Sequence, residues 1–152
     1  MLDIAKWLAT TEWSIALHES LYLYPWIESS HVLFICFFFG TLLFVDLRLT
    51  GKVFTNLSIS EMNKGILPLT IIGFCLMTLT GLLLFYAIPV RNYQNIFFRI
   101  KILLIIIAGL NALFFHRRMS KEAKKWDKDS SIPKSMKVSA IASLFTWSLV
   151  II

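Results

Sequence analysis

The sequence predicts an all-α protein, an integral membrane four-helix bundle preceded by an amphipathic N-terminal segment lying in the membrane interface. Three observations lead there. Of the 152 residues, 57% are hydrophobic and mean hydropathy is +0.72, too apolar for an ordinary soluble domain. Residues 65–90 carry no charge at all. The Lys and Arg residues gather into two of the segments between apolar runs, as they do in loops retained on the cytoplasmic side.

At the N-terminus, Ile4, Trp7, Leu8, Thr11, Ile15, His18 and Tyr22 recur at helical spacing, with Asp3, Lys6, Glu12 and Glu19 mostly on other faces. Residues 3–22 therefore read as one or two short helices in the interface. They lack the basic start, unbroken apolar stretch and small-residue cleavage site of a signal peptide. Tyr22, Tyr24 and Trp26 supply rings that settle at headgroup depth.

The first span is expected over about residues 25–49. It opens at Pro25, whose missing N–H costs nothing in a first turn, and stops at Gly51. Ser58 followed by Glu61 is a capping-box pattern for a brief interfacial helix. The second span, about residues 67–89, lies between Pro68 and Pro89, close to the roughly 20 residues that cross about 30 Å of hydrocarbon. The third occupies about residues 95–117. A polar, basic loop over residues 117–137, helical at its start, leads to a short fourth span at 134–152, where the stems of Lys134 and Lys137 can snorkel. The distribution of Lys and Arg places the N-terminus outside and the 117–137 loop in the cytoplasm.

The candidate site residues are the ionisable groups within the spans, because such groups are costly in lipid. A rise of about 1.5 Å per residue puts His31 roughly 9 Å below the outer end of the first span, at a depth similar to Lys101 in the third. Glu28 shares the face of His31 and is a candidate to orient the imidazole. His116 lies some 22 Å from Lys101 along its helix, level with Asp46 and Arg48. Asp46, beside basic residues at that end, reads as one half of a structural ion pair. Below Lys101, Ala108, Gly109 and Ala112 form a stripe of small residues. Cys36 and Cys75 read as inert packing residues.

Soluble-enzyme and nucleic-acid functions are excluded at this level. There is no Gly-rich phosphate loop, and membrane topology accounts for the basic cluster. The lipid bilayer is the expected partner, with other membrane subunits or further copies of the chain.

Several runs resemble a family of small, uncharacterised bacterial inner-membrane proteins: Leu23 through His31, Asp46-Leu-Arg48 up to Gly51, Gly81 through Arg91, Phe98 to Lys101, Ala108 to Asn111 with Phe115-His116, and Trp126-Asp127. The resemblance implies a bacterial cytoplasmic membrane and adds Asn111 to the polar residues of the inner mouth. The layout is also similar to HemJ-type protoporphyrinogen oxidases, with His31, Gly40, Arg48 and Lys101 in the corresponding places. That likeness implies haem b or a related porphyrin in the outer half of the bundle, with His31 as iron ligand and Lys101 as second ligand or propionate partner. Two alternatives stand beside it: a non-enzymatic subunit or oligomeric scaffold, and a small proton- or ion-conducting bundle lined by Glu28, His31, Asp46 and His116.

Overall fold

The computed structural model describes residues 2–129 and 132–151; the side chains of residues 120 and 123–129, which include Trp126 and Asp127, lie outside that description. The regular structure among the described residues is helical: α1 (Leu2–Ala9), α2 (Glu12–Glu19), α3 (Leu23–Thr50), α4 (Ile59–Ala87), α5 (Pro89–Gln94), α6 (Ile96–Asp129) and α7 (Lys134–Ile151). Three helices are long and apolar enough to cross a membrane: α3, α4 and the Ile96–Met119 part of α6. The 18-residue α7, with Lys134 and Lys137 in its first turn, is not among them.

Local chemistry explains most of the boundaries. Ser20 Oγ accepts the Leu23 N–H at 3.0 Å, so α3 starts two residues before Pro25, which sits in the first turn where its ring breaks no bond. At the other end Gly51 adopts φ +75°, and its N–H closes on the Arg48 carbonyl at 3.1 Å. Ser58 Oγ accepts the Glu61 N–H, as its pattern predicts, but it caps the long α4 rather than a separate interfacial helix. That helix runs through Pro68 and ends at Ile88, the residue that Pro89 disfavours in helical geometry. Similarly, α6 continues to Asp129 where a loop was expected. Between residues 117 and 128 there is no Gly or Pro, and the Arg, Lys, Glu and Ala there are good helix formers. An i,i+4 pair, Arg118 with Glu122 at 3.5 Å, lies on this extension.

In the packing, α3 lies along α4, α7 lies against both α3 and α6, and α4 touches α6. A Cβ on Gly73 would stand 2.9 Å from Phe37 Cδ1 and 3.1 Å from Phe38 Cα, so the glycine sets how closely α3 and α4 approach. Two core clusters follow. The middle one joins Phe38, Leu42, Met77, Ala108, Trp147 and Val150. The other, toward the Arg48 end, is built around Val45, Leu49, Ile59, Met62, Met119 and Met136. At the His31 end, α1 packs on α5 and α4 while α2 packs on α4 and α3. Ser14 Oγ donates to the Tyr86 carbonyl at 2.8 Å, and the Thr11 and Tyr86 hydroxyls meet at 2.7 Å. Trp7, Trp13, Tyr22 and Trp26 remain exposed around this end.

Candidate functional site

The polar residues of the long helices fall into two groups. At one end His31 is half-buried, and its Nδ1 lies 2.8 Å from Thr80 Oγ1 on α4. The single Thr80 hydroxyl proton has the Leu76 and Met77 carbonyls within reach, at 2.9 and 3.1 Å. With that proton on one of these carbonyls, Thr80 Oγ1 accepts from His31 Nδ1–H and the neutral ring keeps its lone pair on Nε2; with it on Nδ1, the roles reverse. The ring packs against Gly81, where a Cβ would stand 3.2 Å from Cε1. Glu28 is exposed, and the partner that orients the imidazole is Thr80. Lys101, half-buried on α6, is near enough for its charge to act on His31.

At the opposite end Asp46 and Arg48 are both buried, and among the described residues no basic side chain forms the expected ion pair with Asp46. Arg48 Nε donates instead to the Leu57 carbonyl at 2.8 Å, holding the α3–α4 loop. Asp46 faces Ser143 of α7, and among the described residues its Oδ2 is buried without a partner. Helix geometry accounts for the difference, since residues two apart point about 200° from each other and do not meet.

Asp46 lines a cavity of about 510 Å³ between the two core clusters. From α3 the walls take Phe38, Leu42, Val45 and Asp46, and from α4 Leu67, Thr70, Ile71 and Phe74. The α6 wall runs from Ile106 to His116 and includes Gly109, Asn111 and Ala112, while α7 contributes Ser143 and Trp147. Like Asp46 Oδ2, Trp147 Nε1 is buried without a partner among the described residues. Exposed Ile71 on α4 and Ile106, Leu110 and Leu113 on α6 lie along the rim, so the cavity opens sideways between these helices. The small-residue stripe of α6 serves this space: nothing stands within 4 Å of a Cβ built on Gly109. Asn111 is satisfied by α7, donating to the Ser139 carbonyl at 3.0 Å and accepting from Ser139 Oγ at 2.7 Å.

The structure thus brings Asp46, Asn111 and His116 to one cavity, turns Arg48 away to its loop, and leaves Glu28, His31 and Lys101 outside the lining. Sequence reasoning missed Thr80, Gly81, Ser143 and Trp147. The available signals were Gly73 and Gly81, eight residues apart on one face of α4, and Ser143 and Trp147, four apart on α7. Chemically, an apolar chamber with a few convergent polar atoms and a side opening is suited to holding a small apolar molecule in a fixed orientation. No family model matches this chain, and no curated protein or solved structure matches it either.

Proposed function

We propose that the chain is a small integral membrane protein, a four-helix bundle of the bacterial cytoplasmic membrane with its Arg48 end toward the cytoplasm, that admits a lipid-phase molecule into the cavity between α4 and α6. One observation carries the reading. Asp46 and Trp147 line a cavity that opens toward lipid, and among the described residues Asp46 Oδ2 and Trp147 Nε1 are buried without partners. Each such group costs about 1–3 kcal/mol, and an incoming molecule that pairs with them recovers that cost. The volume, about 510 Å³, falls within the roughly 300–1,000 Å³ typical of small-molecule sites.

Heavy-atom quenching tests the proposal. In protein retaining Trp147 as its only tryptophan and held in lipid nanodiscs, 1-bromododecane should quench the indole saturably. Gly109→Phe, which fills open space, should abolish the saturable phase. Quenching that is linear and identical in both proteins would refute cavity occupancy.

A second reading rests on the His31 tautomer in which Thr80 accepts from Nδ1–H. Nδ1–H is engaged by Thr80, leaving the Nε2 lone pair suited to a metal, with Lys101 nearby as a partner for an acidic substituent. This favours haem b or a related porphyrin at the His31 end. Protein expressed with haem supplied should then show a Soret band that His31→Ala removes; a featureless spectrum from wild type would dismiss it.

A further inference from the structure

We infer that the molecule admitted to the cavity is an anionic phospholipid, which passes one acyl chain between α4 and α6 and holds its phosphate at Lys64 and Arg117, at the Arg48 end of the mouth. This rests on the cavity reading above and adds the chemical class of the occupant.

The two cations stand where the opening ends. On α6, Ile106, Leu110, Leu113 and Arg117 fall within about 60° of one line, so Arg117 continues the apolar rim. On α4, Lys64 precedes Ile71 by seven residues and lies within about 20° of it. The lining residues nearest the Arg48 end are Asp46 on α3, Leu67 on α4 and His116 on α6. Lys64 is roughly 4.5 Å beyond Leu67 along α4, and Arg117 directly follows His116. The opposite end of the mouth has no such pair: α4 carries no charge after Lys64, and Lys101 is turned about 140° from Ile106.

Depth and charge agree with a lipid headgroup. Lys64 is the last charged residue before the uncharged run 65–90, and Arg117 the first Asp, Glu, Lys or Arg after Lys101, so both mark the level at which their helices leave hydrocarbon. Both are exposed, and among the described residues neither belongs to an ion pair, with Glu61, one turn before Lys64, included. Other cations of this end are engaged: Arg48 donates to Leu57, Arg118 pairs with Glu122, and Lys137 Nζ lies 3.4 Å from where a Cβ on Gly51 would be. Inward of the two free cations the rim and walls turn apolar, through Leu67, Ile71, Phe74, Leu110 and Leu113. Cations at the headgroup level with an apolar chamber directly behind them match a molecule that is anionic at one end and hydrocarbon at the other.

The test uses the full chain, with Trp147 as its only tryptophan, in phosphatidylcholine nanodiscs. Phosphatidylglycerol or phosphatidylcholine brominated on one acyl chain is added at small mole fractions, with 1-bromododecane as the probe that lacks a headgroup. Brominated phosphatidylglycerol should quench Trp147 saturably, at a mole fraction about fivefold or more below that needed for brominated phosphatidylcholine, since one basic side chain at the membrane surface is worth roughly that factor toward anionic lipid. Lys64→Gln with Arg117→Gln should bring the two lipids to within about twofold and leave quenching by 1-bromododecane unchanged. Lys52→Gln with Lys134→Gln, which removes two cations from the α3–α4 loop and the first turn of α7, should keep the preference. If the two lipids quench alike while 1-bromododecane saturates, or if the Lys52 and Lys134 pair matters as much as the Lys64 and Arg117 pair, the anionic-lipid assignment is overturned and the cavity reading stands. If neither the lipids nor 1-bromododecane quench saturably, both are overturned.

Discussion

The imidazole of His31 and the backbone of Gly81 are in apposition across the seam between α3 and α4, and a methyl at the glycine would stand 3.2 Å from the ring's Cε1, close enough that the ring must give way by a few tenths of an ångström. Thr80, the preceding residue, shares a hydrogen bond with the ring's Nδ1 at 2.8 Å. An apolar helix pair has little hydrophobic drive to associate within lipid, so contacts of this kind, with Gly73 packed on Phe37 and Phe38, set register and distance.

Replacing Gly81 by Ala should press the new methyl on the His31 ring and cost about 1–3 kcal/mol. Thermal unfolding in detergent checks this, and Gly81→Ala combined with His31→Ala should recover most of the loss. Gly73→Ala, which meets the Phe38 backbone, should be at least as damaging and should not be rescued by Phe37→Ala.

A double-mutant cycle with His31→Ala and Thr80→Val should give a coupling of about 0.6 kcal/mol and no more than about 1.7, the span found for hydrogen bonds between membrane helices. A coupling indistinguishable from zero would mean that the hydrogen bond contributes nothing to the folded state.

Arg48 is held by the Leu57 carbonyl and not by Asp46, so substitutions of the two should act independently. Arg48→Ala, losing a charged hydrogen bond to Leu57, should cost about 1.5–3 kcal/mol and open residues 51–58 to amide exchange. Combined with Asp46→Leu, the changes should add to within about 0.5 kcal/mol.

Asp46→Leu alone should raise the unfolding midpoint of the ligand-free protein, because it removes a buried acceptor that lacks a donor. The gain should be about 1–3 kcal/mol, and lipid-phase ligands should stabilise the variant less than the wild type.

Gly40→Ala and Gly109→Ala have open space at the new methyl and should leave stability unchanged or raise it by up to about 1 kcal/mol. They are the controls for the two glycines of the seam.

Much of this architecture could be read in the chain. Uncharged runs located the three long apolar helices, Gly51 announced the end of α3, and Ser58 announced a helix start, though of the long α4 and not of a separate interfacial helix. The continuity of α4 through Pro68 could not be read, because local preference at a proline opposes it and packing along α3 overrides that preference. The common level of Asp46 and His116 followed from counting residues along helices, and Asn111 joined them through the family resemblance. An ion pair for Asp46 was expected from the basic residues at its end of the bundle, but Arg48, the nearest in sequence, is turned away by helical rotation and held by Leu57. Thr80, Ser143 and Trp147 depend on the register of one helix against another, which no local pattern in the sequence encodes.

The sideways mouth between α4 and α6 makes the bilayer, rather than the aqueous phase, the reservoir from which the cavity fills. Occupancy is then governed by the mole fraction of the molecule among the lipids. An apparent dissociation constant expressed per litre will rise in proportion as more empty vesicles are added, while the same constant expressed per lipid stays fixed.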